Sequence, residues 1–175
     1  MHIEFTQADD SHVEELVELV NSAYRGDSSK QGWTTEEHLL GGQRVDEDGI
    51  LENIEREGSV ILIAEDDDTG KLLGCVHLEN HSGKCYLGML TVDPTLQKKG
   101  IGKMLIDESE AFAMFWGCTH LYMTVISVRT ELIEYYKKQG FKLTGEKKPF
   151  PYGDERFGIP KVDNLEFVVL ERKLS

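Results

Sequence analysis

Leu90-Thr91-Val92-Asp93-Pro94-Thr95-Leu96-Gln97-Lys98-Lys99-Gly100-Ile101-Gly102-Lys103 reads as a strand that stops at Asp93-Pro94, turns, and enters a helix through two glycines. The first turn of a helix has backbone N–H groups without intrahelical acceptors and carries the positive end of the helix dipole, so such an entry is suited to an anion. Glycine lets a phosphate come close to the backbone, and Lys98, Lys99 and Lys103 add local positive charge. Two familiar phosphate motifs do not fit. The third glycine of a dinucleotide fingerprint is replaced by Leu105, and Met104 follows Gly102-Lys103 where a P-loop needs Ser or Thr.

Before this segment, Ser59 to Glu65, Leu72 to Glu79 and Lys84 to Val92 are β-branched and apolar. The turn-rich Asp66 to Gly70 and Asn80 to Gly83 separate them, which predicts three consecutive antiparallel strands. With Ser82-Gly83 as a hairpin tip, His81 pairs with Lys84, Asn80 with Cys85, and Glu79 stands opposite Tyr86. Nearer the start, His2 to Thr6 alternates like a strand. Ser11-His12-Val13-Glu14 reads as a capping box ahead of a helix carrying Leu16, Val17, Val20 and Tyr24. A second box, Thr34-Thr35-Glu36-Glu37, predicts a short helix stopping at Gly41-Gly42, and another helix is expected from about Asp46 to Arg56. After the glycines, Gly102 to Phe115 has helical spacing, Leu121 to Ile126 reads as a strand, and Thr130 to Lys138 as a short helix ending at Gln139-Gly140. Phe141 to Thr144 and Leu165 to Leu170 read as strands around a Pro/Gly-punctuated loop. The order predicts one domain over residues 1–175, a mixed sheet with helices packed on it at the border of α/β and α+β.

The 175 residues include 39% apolar and 29% charged side chains, enough to bury a core without staples. A net charge of −13 repels phosphate backbones, which argues against a nucleic-acid partner and suits a cationic one. Cys75, Cys85 and Cys118 are odd in number, lack CxxC spacing and sit in apolar stretches, which points to free thiols in a reducing cytoplasm. No apolar run approaches the ~18 residues that span a bilayer, and Met1-His2-Ile3-Glu4 does not open like a secretory leader, so a membrane is not an expected partner.

Gln97-x-x-Gly100-x-Gly102 after a strand resembles the signature of the GNAT superfamily of acyl-CoA-dependent N-acetyltransferases. The later Tyr136-Lys137-Lys138-Gln139-Gly140-Phe141 is similar to a second element of that family. The resemblance implies a mixed central sheet of about seven strands with helices on both faces, and acetyl-CoA as co-substrate. It also implies direct transfer of the acetyl group to a primary amine, on a small molecule or a protein, with a homodimer among the arrangements left open. It places Leu90, Thr91 and Val92 along the pantetheine arm, with the Leu90 N–H polarising the thioester carbonyl. Gln97, Lys98, Lys99, Gly100, Ile101, Gly102 and Lys103 would hold the pyrophosphate. Tyr136 would lie near the CoA sulfur and protonate the leaving thiolate.

Two positions depart from the family. Arg129 stands where an Asn is frequent, and would instead hold a CoA phosphate or a substrate carboxylate. Tyr86 stands where some members carry a general-base Glu, so Glu79, opposite it, is the candidate base, acting directly or through water. These departures keep a second reading open, an acyl-CoA-binding sensor or interaction module without turnover. Trp33 and Glu36 fall in a region that lines the acceptor pocket in the family and would receive an amine by cation–π contact and charge pairing. His77, Glu79 and His81 share one face of a strand and form a rival, metal-binding constellation. His81 falls in the expected turn and no further His or Cys has motif spacing, so no metal is expected.

Overall fold

The computed structural model describes residues 2–24, 40–41, 45–96, 99–149, 159–160 and 165–174. Its main sheet has seven strands in the order β1 (Ile3–Gln7), β3 (Ser59–Asp66), β4 (Leu72–His81), β5 (Lys84–Val92), β6 (His120–Ile126), β9 (Glu166–Lys173), β7 (Lys142–Pro149). All neighbours are antiparallel except β5 and β6. A separate ladder joins β2 (Leu40–Gly41) to β8 (Ile159–Pro160). Among the described residues the α-helices are α1 (Val13–Tyr24), α2 (Glu47–Glu55), α3 (Ile101–Phe115) and α4 (Thr130–Lys138).

Strand β3 shows why helices cover both faces. Its central residues are apolar at every position, so the period-two alternation sends Ile61 and Ile63 to one side and Leu62 and Ala64 to the other. Ile61 and Ile63 pack with Leu16, Leu19, Val20 and Ala23 of α1 and Ile50 of α2. Leu62 and Ala64 pack with Ile101, Leu105 and Ile106 of α3, in the cluster that also holds Leu132, Ile133 and Tyr136 of α4. Each fully buried Leu or Ile contributes about 1.5–3 kcal/mol, so these two clusters are the chief source of stability.

The Ser82-Gly83 hairpin has the expected register, with His81↔Lys84, Asn80↔Cys85 and Glu79↔Tyr86 as partners. Both turn residues have positive φ, 53° and 90°, the conformation that matches strand twist in a two-residue loop. His81 is therefore the last residue of β4 and not part of the turn.

Other expectations are corrected. The cap ahead of α1 is Asp9, whose carboxylate accepts from Ser11 N at 2.9 Å while His12 Nδ1 accepts from Asp9 N at 3.0 Å. A carboxylate two residues earlier takes the role assigned to Ser11, and a short 3-10 turn precedes the helix. Leu40 and Gly41, expected at the end of a helix, are extended because Pro160 and Ile159 supply ladder partners. The Thr34 to Glu37 box lies outside the described residues. Strand β7 begins at Lys142, one residue after Phe141, and runs on to Pro149. The fold class is as expected, a seven-stranded mixed sheet with helices on both faces. No helix among the described residues is long and apolar enough to cross a membrane.

Candidate active site

The parallel ladder between β5 and β6 pairs Lys84 with His120, Cys85 with Leu121 and Tyr86 with Tyr122, and its register goes no further. Both strands continue, to Val92 and Ile126, and a cavity of about 450 Å³ lies between them. Its lining comes from both sides of the sheet. Leu90, Leu132 and Tyr136 belong to the α3/α4 cluster, whereas Met89 belongs to the α1/α2 cluster and stands with Glu79 and Tyr86. The cavity therefore passes through the sheet.

A bulge shapes its β5 wall. Register passes from His77↔Gly88 to Cys75↔Thr91, so Met89 and Leu90 together oppose Val76. Met89 takes φ of 54°, a left-handed conformation that costs about 1–3 kcal/mol outside glycine. The Thr91 hydroxyl, fully buried, donates to Met89 O at 2.9 Å and holds the bulge from within. Leu90 lines the cavity, while Thr91 and Val92 lie beyond it with their side chains in the core.

Tyr136 is 6% exposed on the inner face of α4, edge-on to Phe141 at 5.9 Å. Glu79 approaches from the other side of the sheet. Its Oε2 accepts from Arg56 Nη2 at 3.0 Å and lies 3.6 Å from His77 Nε2, and its Oε1 lies 3.6 Å from His81 Nε2. The Ser59 hydroxyl donates to Asn53 O at 2.7 Å, so the 2.8 Å contact between Ser59 Oγ and His77 Nε2 uses a proton on that nitrogen. His81 Nδ1 is hydrogen-bonded to the Tyr122 hydroxyl. Burial, with Tyr86 and Glu79 nearby, pushes the Tyr122 phenol up to about 12. The row of His77, Glu79 and His81 thus converges on one carboxylate that a guanidinium already holds. Among the described residues no group of three or more His, Cys, Asp or Glu is arranged to hold a metal ion.

At the start of α3, Gly100 takes φ of 80° and supplies no side-chain cap, and the first turn has no acidic residue. In contrast, α1 carries Glu14 and Glu15 in its first turn, and α2 carries Glu47 and Asp48 beside its cap Asp46. The N–H groups of α3 face no carboxylate of their own turn, which suits an anion from outside. Gly102 serves by lacking bulk: a Cβ there would lie 3.1 Å from the Tyr135 hydroxyl and 3.7 Å from Val92 Cγ2. Ile101 is core, Lys99 is exposed, and Lys103 pairs with Asp107 at 3.0 Å. Gln97, Lys98, Trp33 and Glu36 lie outside the described residues.

Arg129, the position expected to hold a CoA phosphate or a substrate carboxylate, is buried beside α4. It is the residue just before α4, is 2% exposed, and donates from Nε to Glu131 Oε1 at 2.8 Å. The guanidinium is an interior group with a protein carboxylate as partner. Sequence reasoning missed the Met89 bulge, although Gly88 just before it is a signal that marks one, and it missed the hold of Arg56 on Glu79.

The model of the acetyltransferase (GNAT) family matches residues 13–141, and the chain belongs to that family. Over 72 residues it is 33% identical to the peptidyl-lysine N-acetyltransferase YjaB of Salmonella typhimurium, a stretch covering 38% of this chain and 46% of that one. The match thus spans about half the length of that curated relative. Among solved structures, YncA from Salmonella typhimurium with its cofactor acetyl-CoA aligns with a TM-score of 0.70 and 19% identity over 100% of this chain and 95% of that one. PaiA N-acetyltransferase from Thermoplasma acidophilum in complex with coenzyme A aligns with a TM-score of 0.69 and 20% identity over 99% of each chain. At such identities the likeness is one of fold.

Proposed function

We propose that the protein transfers the acetyl group of acetyl-CoA directly to a primary amine. The observation that carries this reading is the cavity through the sheet, with Leu90 and Tyr136 on one side and Glu79 on the other. Such a passage lets a thioester enter from the α3/α4 side and an amine from the α1/α2 side, and meet without a covalent enzyme intermediate.

The residues fit an acyl-CoA. The start of α3 takes the pyrophosphate, with Gly100 to Lys103 and, from the sequence, Gln97 and Lys98. The opened edge of β5 takes the pantetheine arm. The Leu90 N–H polarises the thioester carbonyl, and the amine lone pair forms the new C–N bond as the C–S bond breaks. The sulfur leaves with the bonding pair and takes a proton from the Tyr136 hydroxyl, while the nitrogen gives one proton to Glu79 or to water beside it. Arg129, paired with Glu131, anchors the start of α4 and so helps to position Tyr136.

The net charge of −13 supports a cationic acceptor, and a lysine side chain of a protein is the class suggested by the partial likeness to a peptidyl-lysine acetyltransferase. The test is thermal denaturation with increasing acetyl-CoA, followed by thiol release with small amines and lysine peptides. A ligand at ~100 times its Kd adds about 2.7 kcal/mol of stability. Saturable stabilisation with thiol release upholds the reading; stabilisation without release for any amine leaves a binding module instead. No stabilisation overturns both.

A further inference from the structure

Tyr86 stands where a carboxylate would serve as base in some members of the family, and its ring does not project straight from the sheet. It lies back along β5: a Cβ built on Gly88 would meet Tyr86 Cε2 and Oη at 2.6 Å and Cζ at 2.8 Å. Only a residue without a side chain leaves room for the ring in that place. The ring is held on three sides, by His77 edge-on at 5.9 Å, by His81 stacked at 5.8 Å and by Tyr122 at 5.5 Å. Its hydroxyl is carried over Gly88, the residue just before the bulge that presents Leu90, and Tyr86 and Gly88 both line the cavity. That hydroxyl has no hydrogen-bond partner among the described residues.

A clamped phenol with its oxygen turned into a reaction cavity is a ready acceptor for an N–H. Resting on the transferase reading above, we infer that Tyr86 Oη accepts one N–H of the incoming amine and turns the nitrogen lone pair toward the carbonyl at Leu90. Tyr86 moves no proton. A primary amine brings two N–H bonds: one proton leaves to Glu79 or water, and the other stays on nitrogen, held by Tyr86, as the amide forms. A secondary amine has one N–H, which it must lose, so nothing remains for Tyr86 to hold. Tyr86 thereby sets a preference for primary over secondary amines, and Gly88 keeps its ring in place.

The experiment compares kcat/KM for a primary amine and its N-methyl counterpart in the wild type, Tyr86→Phe and Gly88→Ala, with acetyl-CoA stabilisation followed in each. Loss of one hydrogen bond is expected to cut kcat/KM toward the primary amine by about three- to ten-fold. The N-methyl amine should lose little, so the ratio falls while acetyl-CoA still stabilises the variant. Gly88→Ala, which pushes the ring aside, should act in the same direction, and the double variant should be no worse than Tyr86→Phe alone. If Gly88→Ala does not fold, Tyr86→Phe decides alone. Unchanged primary-amine kinetics in Tyr86→Phe overturn the inference while leaving the transferase reading intact. A wild type that releases no thiol with any amine overturns that reading, and the inference with it.

Discussion

Tyr136 and Glu79 lie on opposite faces of the sheet and line the same cavity, because β5 and β6 part between them. A group on one face can serve the sulfur while a group on the other serves the nitrogen, and each can be changed without displacing its counterpart.

For Tyr136, the conservative change is to Phe, which keeps the ring packed against Phe141. Tyr136→Phe is expected to lower kcat more than it raises the KM for acetyl-CoA, with stability changed by about 1 kcal/mol, the scale of one hydrogen bond. Steady-state kinetics beside a melting curve make the comparison. Wild-type kcat in the variant would remove Tyr136 from the mechanism.

Glu79→Gln keeps the shape of the side chain and removes its charge. The expected outcome is a slower reaction with an altered pH-rate profile, because the proton leaving the amine then has water alone to go to. A profile of unchanged form would drop Glu79 as base and leave its bond to Arg56 as its role.

The two glycines at the start of α3 should fail differently. Gly100→Ala puts a side chain on a residue at φ of 80° and is expected to cost about 1–2 kcal/mol of stability. In Gly102→Leu the conflict is with the Tyr135 hydroxyl and with any bound phosphate, so loss of acetyl-CoA stabilisation should exceed loss of fold stability. Melting curves with and without acetyl-CoA separate the two effects.

Asp93 gives a pH test at the foot of the same loop. Burial pushes its carboxyl up, but hydrogen bonds from Thr95 and the Lys71 ammonium outweigh burial, and the net shift is below the ordinary 3.8. A carboxyl lowered by folding binds its proton less tightly in the folded state. Its stabilisation is present above 3.8 and is lost as pH falls through the lower, folded value. Urea unfolding of Asp93→Asn against wild type should show a deficit at pH 6 that shrinks toward pH 2. A deficit independent of pH would assign the effect to the shape of the turn.

Much of this was readable in the residues because the deciding interactions are local. Ser82-Gly83 sets the hairpin register through turn chemistry alone, and with it the pairing of Glu79 with Tyr86. Gly100 and Gly102 mark the start of α3 for a similar reason. What the sequence withheld is only partly a matter of distance along the chain. Arg56 reaches Glu79 across twenty-three residues because α2 packs on β3, whereas the Met89 bulge is held from within by the Thr91 hydroxyl, a bond that Gly88 alone does not specify. Arg129 carries a charge, which argues for the surface, and only the packing of α4 shows it inside on Glu131. The cap of α1 moved upstream because Asp9 and His12 satisfy each other's polar groups.

The short ladder between Lys84–Tyr86 and His120–Tyr122 has a mechanical consequence. In the hydrogen-bonding of its backbone, the seven-stranded sheet is two leaves stapled near one end, β1-β3-β4-β5 and β6-β9-β7. Beyond that ladder α3 packs on β4 and β5 of one leaf and on β6 of the other. A molecule seated in the opening would act as a second staple. Amide exchange in β6 and β9 should then slow when acetyl-CoA is added, even at residues remote from the ligand.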